Sequence, residues 1–483
     1  MLFTGSIIIS NRVEKQPTNS VLNFIAKLHA FEQEEQLFQL KEDNLFYWDI
    51  VRAKVAEKLF YTYGQDQKTG ISAPVIPQLT ISQKILKLIR WAWWLFINEL
   101  NFYFFSPKRT WLFLKISRFA DPRTGEPYDA VADEIYHVLE KDAMAVETFK
   151  NQQTDITRLR HRYQTYHLYT YRKRYAKRHF KPGKAYSVSA LIVNHFPDSV
   201  NENWDTLIQT TILEYVAEYN FARRLFRKKQ PRGIFFTGGA KGFISAANQL
   251  GIETIEIQHS PLNKADLYYS YNSEIHYAHI SSLPHYLLVN SEEWKTRIFY
   301  PPTFVTVGSD YFYNSSKFNT EITDRTTILF VSDPINHNLV RDYILRFIAQ
   351  NDTTDYRIVF KLHSAETDRY EEAKAAFQEY PNIEVVLNEQ NISQLLDVSC
   401  ATFIIYSTVA YQAIQKGLHV YLLKTGYYEG GYDLFDLPNV QLIGLNDAIT
   451  IDEIKTVKPV EPVVFFEAFD EGKFHSFTKK ITI

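Results

Sequence analysis

The feature that most limits how this chain can fold is a rhythm. Short apolar runs that end in polar turns alternate with helix-patterned segments, and the series starts twice. The first series opens with TWLFLKIS at residues 110–117 and the helix pattern AVADEIYHVLEKD. Apolar runs MAVETF and ALIVNHF follow, then the long helical stretch 204–229, then GIFFTGG, KGFISAANQLG, IETIEIQHS, YLLVNS and FVTVGS. A second series begins near residue 326 with TTILFVSD and continues through YRIVFKLHS, IEVVLN, ATFIIYS, TVAYQAIQKG, HVYLLKT and VQLIGL. Strand–helix alternation of this kind predicts a parallel sheet with helices on both faces. Two series predict an α/β chain with two Rossmann-like domains facing a cleft, in which ligands sit at the carboxyl ends of strands. The expected division is a helical region over 1–105, a first domain over 106–315, a second over 316–450, and a tail over 451–483 that packs back on the domains. The polar stretch YNSSKFNTEITDR is the expected linker.

Composition narrows the function classes. The chain has 483 residues, 45% of them apolar, and a net charge of −2, so the overall field favours neither nucleic acid nor an acidic surface. Its one cysteine, Cys400, excludes a disulfide framework and suits a reducing, cytoplasmic compartment. The start MLFTGSIIIS lacks the basic region and cleavage site of a signal peptide. Residues 84–109 hold three tryptophans and several phenylalanines between basic residues. That pattern suits a helix at the inner membrane surface or one packed between domains. Residues 158–184 carry ten Lys/Arg interleaved with tyrosines, suited to an anionic membrane, an anionic glycan or a solvated helix face. With no RNA-binding or zinc signature, neither a nucleic-acid partner nor a metal is expected.

Chemistry concentrates at four strand ends. Lys361 and His363 stand two apart, so on a strand they share a face and could meet phosphate oxygens. Ser407 and Thr408 open a helix after an apolar strand, where free N–H groups and hydroxyls favour an anion. His259 ends the strand IETIEIQ and is followed by a polar loop with Asp266, Tyr268, Tyr269 and Tyr271. Gly238 and Gly239 lie in TGGAKG, a strand-to-helix turn whose backbone can approach a ligand, without the spacing of a P-loop.

Together these residues resemble a known family. IETIEIQHS followed by DLYYSYNS, FKLHSAE and IIYSTVAYQ are similar to motifs of bacterial capsule and lipopolysaccharide glycosyltransferases of GT-B architecture. Related motifs occur in sialyltransferases, Kdo transferases and CDP-glycerol glycerophosphotransferases. The resemblance covers roughly residues 110–450. It implies a metal-independent transferase that uses a nucleotide sugar, CMP-linked or another, and a glycan or lipid-linked acceptor. His363, Ser407 and Thr408 would hold the donor phosphate with help from Lys361. Glu366 would reach a donor hydroxyl, and His259 would sit near the reacting centre. Asp121 and Asp129, in the loop SRFADPRTGEPYD, are the carboxylates expected as base. Three departures stand out: Ser364 replaces the family's proline, Ser260 its glycine, and Gly238–Gly239 the acid of some relatives. The other readings are a CDP-polyol phosphotransferase, a non-catalytic nucleotide- or glycan-binding protein, and a single-strand nucleic-acid binder.

Overall fold

A run such as TILFV, rich in β-branched and aromatic residues and buried at every position, suits a strand covered on both faces. Strands of this kind organise the structure, a computed structural model that describes residues 21–64, 82, 89, 108–117, 119–120, 127–149, 162–164, 166–317, 325–364, 366–387, 389–425, 428–456 and 463–482. The first large sheet has seven parallel strands: β1 (Trp111–Ser117), β2 (Ala143–Phe149), β3 (Arg162–Gln164), β4 (Gly233–Phe236), β5 (Glu253–Ile257), β6 (Tyr286–Val289) and β7 (Thr303–Thr306). Their order is β3-β2-β1-β4-β5-β6-β7. The second has six: β8 (Thr327–Val331), β9 (Arg357–Lys361), β10 (Ile383–Val386), β11 (Ser399–Ile404), β12 (His419–Lys424) and β13 (Val440–Gly444), ordered β10-β9-β8-β11-β12-β13. Both sheets therefore follow the Rossmann order, which reverses between the first and fourth strands and opens a crevice there at the carboxyl ends. The fold is the α/β, GT-B-like pair of Rossmann-like domains that the strand–helix rhythm predicts.

Two segments depart from the sequence reading. ALIVNHF lies in a helix, Ser187–His195, where Val188 and Ile192 are buried four residues apart, a helical spacing. Within the basic segment, β3 is only three residues long and joins the sheet edge beside β2 without an apolar pattern to announce it.

Aromatic stacking locks each sheet to its helices. Phe113 stacks on Phe235 at 4.7 Å in the first domain, and Phe330, Phe403 and Tyr421 stack at 4.5 Å in the second. At the amino end, α1 (Val21–Glu34) and α2 (Trp48–Gly64) share a buried charge pair, Arg52 with Glu32 at 2.5 Å, to which Trp48 also donates. The Arg52 guanidinium reaches on to the carbonyls of Leu267 and Ser270, each at 2.7 Å. The backbone N–H of Val21 donates to Glu429 of the second domain at 2.6 Å. These helices therefore build part of the domain junction. The membrane-surface expectation for 84–109 falls almost wholly outside the described residues. Among the described residues, no helix is long and apolar enough to cross a membrane.

After the second sheet the chain crosses back. Trp294 donates to the carbonyl of Phe465 at 2.6 Å, and α5 (Glu471–Thr482) brings Phe474 against Phe235 and Phe477 against Tyr286. The long α3 (Trp204–Lys229) and α4 (Thr408–Gln415), which opens at the second crevice, precede α5 in the chain.

Candidate functional site

Register decides which residues reach the second crevice. Phe360, Phe330 and Phe403 lie level across β9, β8 and β11. Three residues beyond that level come His363, Asp333 and Tyr406, so the His363 loop and the Ser407 turn flank the end of β8 on either side. Neighbouring strands stand about 4.8 Å apart, which sets the two loops about 10 Å from each other. Ser407 is in extended conformation and caps α4, its Oγ accepting from the N–H of Val409 at 3.3 Å. Ser407 and Thr408 are both half-buried, so the helix start is open to a ligand.

The His363 loop is built around a buried acid. Glu366, 1% exposed, accepts from Ser332 Oγ at 2.9 Å, from His337 Nδ1 at 2.7 Å, and from the backbone N–H of His363 at 2.7 Å. Burial opposes its ionisation, but the bonds from His337, His363 and Ser332 outweigh burial and hold the carboxyl below its usual range. Both oxygens are engaged by the protein. The expectation that Glu366 reaches a donor hydroxyl is thus corrected: it fixes the backbone that presents the exposed His363.

Lys361 is turned away as well. Its ammonium donates to the carbonyl of Leu362 at 2.9 Å and to that of Leu387, which follows the outer strand β10. It therefore points to the side of β9 opposite Ser407, and burial lowers its pKa. The sequence pairs Lys361 with His363, whereas the structure separates them because carbonyls from a distant loop capture the ammonium.

In the first domain, Phe236 is level with Glu256 across β4 and β5, so Gly238 and His259 emerge together. Gly238 has φ +62°, and a Cβ there would lie 2.8 Å from His259 Cε1. A side chain at 238 and this imidazole position exclude one another, which accounts for the glycine. Gly239, at φ +68°, faces open space. Below them Glu256 is buried and accepts from the hydroxyls of Tyr269 and Tyr300 at 2.7 and 2.9 Å; burial raises its pKa and these bonds offset part of that rise.

Of the two carboxylates expected as base, the described residues include Asp129. Asp129 accepts from the backbone N–H groups of Val131 and Ala132 at 3.2 and 3.1 Å, in the turn that leads into the helix Ala132–Leu139. Asp121 lies outside the described residues.

Sequence reasoning missed what joins the two halves. The loop after His259 reaches across to the second domain at Asn263, which is fully buried. Its amide donates to Tyr411 Oη at 3.1 Å, to the carbonyl of Gly430 at 2.8 Å and to Asp433 at 2.9 Å. Tyr411 lies on α4 and itself donates to Asp433, which Arg297 also pairs. Beside this bridge is a cavity of about 100 Å3 lined by Asp266, Tyr406, Gly430 and Glu429. Among the described residues, no cluster of three or more metal-ligating side chains is present.

No family profile matches the chain, and no curated protein matches it. Solved structures do. The chain is similar to MurG of Acinetobacter baumannii over 77% of its own length and 91% of the other, at 10% identity and a TM-score of 0.40. It is similar to the UDP-GlcNAc 2-epimerase of Methanocaldococcus jannaschii, in complex with UDP-GlcNAc and UDP, over 77% and 99% at 12% identity and a TM-score of 0.46. A glycosyltransferase of Rickettsia africae matches over 70% and 85% at 9% identity and a TM-score of 0.37.

Proposed function

We propose that the chain is a glycosyltransferase that moves a sugar from a nucleotide-sugar donor to a glycan or lipid-linked acceptor in surface-polysaccharide synthesis. One observation carries the reading: Ser407 opens α4 at the switch point of the second sheet, across β8 from the ordered loop of His363, and the loop that follows His259 reaches α4 at Tyr411. The free N–H groups of the helix start, the hydroxyls of Ser407 and Thr408 and the His363 imidazole offset charge on the departing phosphate. Gly238 and Gly239 let the first-domain backbone come close to the donor, and His259 lies at the reacting side.

Seating on an anionic inner-membrane face fits the helix Tyr166–His179. Arg172 and Lys173 pair with Glu218 and Glu214 of α3, while Arg174, Lys177 and Arg178 are exposed. Residues 84–109 would add the apolar part of that contact.

Calorimetry with CMP, CDP and UDP, followed by crystal soaks with whichever binds, tests the reading. Binding of one nucleotide with density beside Ser407 is the expected result. No binding of any of the three, with His363→Ala indistinguishable from wild type, would overturn it.

A further inference from the structure

Asp129 is held by the backbone N–H groups of Val131 and Ala132, and another carboxylate stands at the domain junction. Among the described residues, Glu256, Asp433, Glu429 and Asp266 lie close to the domain junction. Glu256 holds two tyrosine hydroxyls, Asp433 is paired with Arg297, and Glu429 accepts from the N–H of Val21. Asp266 differs. It sits on the loop that leaves His259, lines the cavity together with Tyr406, the residue before Ser407, and has no ion-pair partner among the described residues. Its Oδ1 accepts from the N–H of Tyr268 at 2.8 Å, which fixes its direction. Arg52 of α2 holds the carbonyls of Leu267 and Ser270, so the loop that carries Asp266 is rigidly placed. The cavity is smaller than the roughly 300–1,000 Å3 of a site that encloses a whole small molecule, so it suits only the hydroxyl-bearing end of a larger one.

We propose that Asp266 is the general base of the transfer and accepts the proton of the acceptor hydroxyl in this cavity, a reading that rests on the glycosyltransferase assignment. The hydroxyl proton passes to the Asp266 carboxylate. The oxygen's freed pair forms the new bond to the anomeric carbon. The bond from that carbon to the donor phosphate breaks, and its electron pair leaves on the phosphate toward Ser407. The surroundings suit the task. Burial pushes the Asp266 carboxyl up to about 6, with Glu256 of β5 raising it further and Arg52 of α2 lowering it. Tyr406 and Glu429 face it from the second domain, and Tyr269 from its own loop. A base tuned near the working pH is ionised when needed and still takes up a proton readily.

The test uses the full-length protein, a panel of UDP-, CMP- and GDP-sugars with water as acceptor, and nucleotide release as readout. Asp266→Asn is expected to lower turnover by about 100-fold or more while the affinity for the free nucleotide stays within about two-fold, with partial rescue by Asp266→Glu. The wild-type rate should fall as pH drops below about 6, and the Asn variant should lose that limb. Turnover of Asp266→Asn within about three-fold of wild type, a retained acid limb, or lost nucleotide binding each overturns the proposal. Ser407→Ala with unchanged nucleotide affinity would overturn the phosphate site and leave the base standing. A wild type that turns over no donor overturns both.

Discussion

Glu366 follows His363 by three residues in the second domain, and Asp266 follows His259 by seven in the first. Each is an acid behind a histidine at a strand end, and each is withdrawn from bulk water. Glu366 receives donors on both oxygens and is held ionised. Asp266 receives backbone N–H groups but, among the described residues, no cation at contact distance, and its carboxyl rises to about 6. Burial acts in the same direction on both, so the difference comes from partners. One acid gives up reactivity to fix a backbone. The other lines the cavity it shares with Tyr406.

Removing the carboxylate that organises the second domain gives the strongest test of that contrast. Glu366→Ala leaves the fully buried His337 imidazole and the His363 N–H without their acceptor, an expected loss of about 3 kcal/mol in urea unfolding. A loss below about 1 kcal/mol would break the comparison, because Glu366 would then not be structural. Next in size is Gly238→Ala. Its Cβ meets the His259 ring and its φ is left-handed, so about 2 kcal/mol and a fall in turnover are expected. Gly239→Ala shares the backbone strain but meets nothing, so about 1 kcal/mol with turnover unchanged is expected; thermal unfolding and rates of the two variants separate strain from collision. Ser407→Ala should cost about 1 kcal/mol of stability as a lost cap and weaken nucleotide binding about ten-fold by calorimetry.

The smallest effect sharpens the comparison through pH. The folded Asp266 carboxyl titrates above its unfolded value, so the folded state binds more protons in between, and its contribution to stability falls as pH rises toward about 6. Asp266→Asn should therefore be neutral in acid and slightly stabilising at neutral pH. Glu366 has the opposite sign: its contribution is present above the ordinary carboxylate range and is lost as pH falls through its lowered folded value. Urea midpoints of wild type and both variants, taken from about pH 4 to about pH 8, should diverge in opposite directions.

The strand–helix rhythm was legible because apolar runs must stop where helices begin, and the strand ends carrying His259, His363 and Ser407 could be located from it. Side-chain direction could not. Lys361 is captured by the carbonyl of Leu387, and Asp266 takes its character from burial at a junction that Arg52 and Tyr406, both far away along the chain, help to build. Asp129 did carry a local signal, a short acidic side chain in the turn before the helix start at Ala132, where it accepts nearby backbone N–H groups. For Glu366 no such signal existed, since Ser332 and His337 reach it from another strand and helix.

The return of α5 to the first domain also bears on the order of events at the ribosome. Phe235 is synthesised well before Phe474, which packs against it, and the whole second sheet emerges in between. The face of β4 that α5 covers therefore stays open while the second domain forms, a long interval of exposed aromatic surface during translation. Final closure of the first domain is thus coupled to completion of the second, and a nascent chain stalled before residue 471 would carry that surface uncovered.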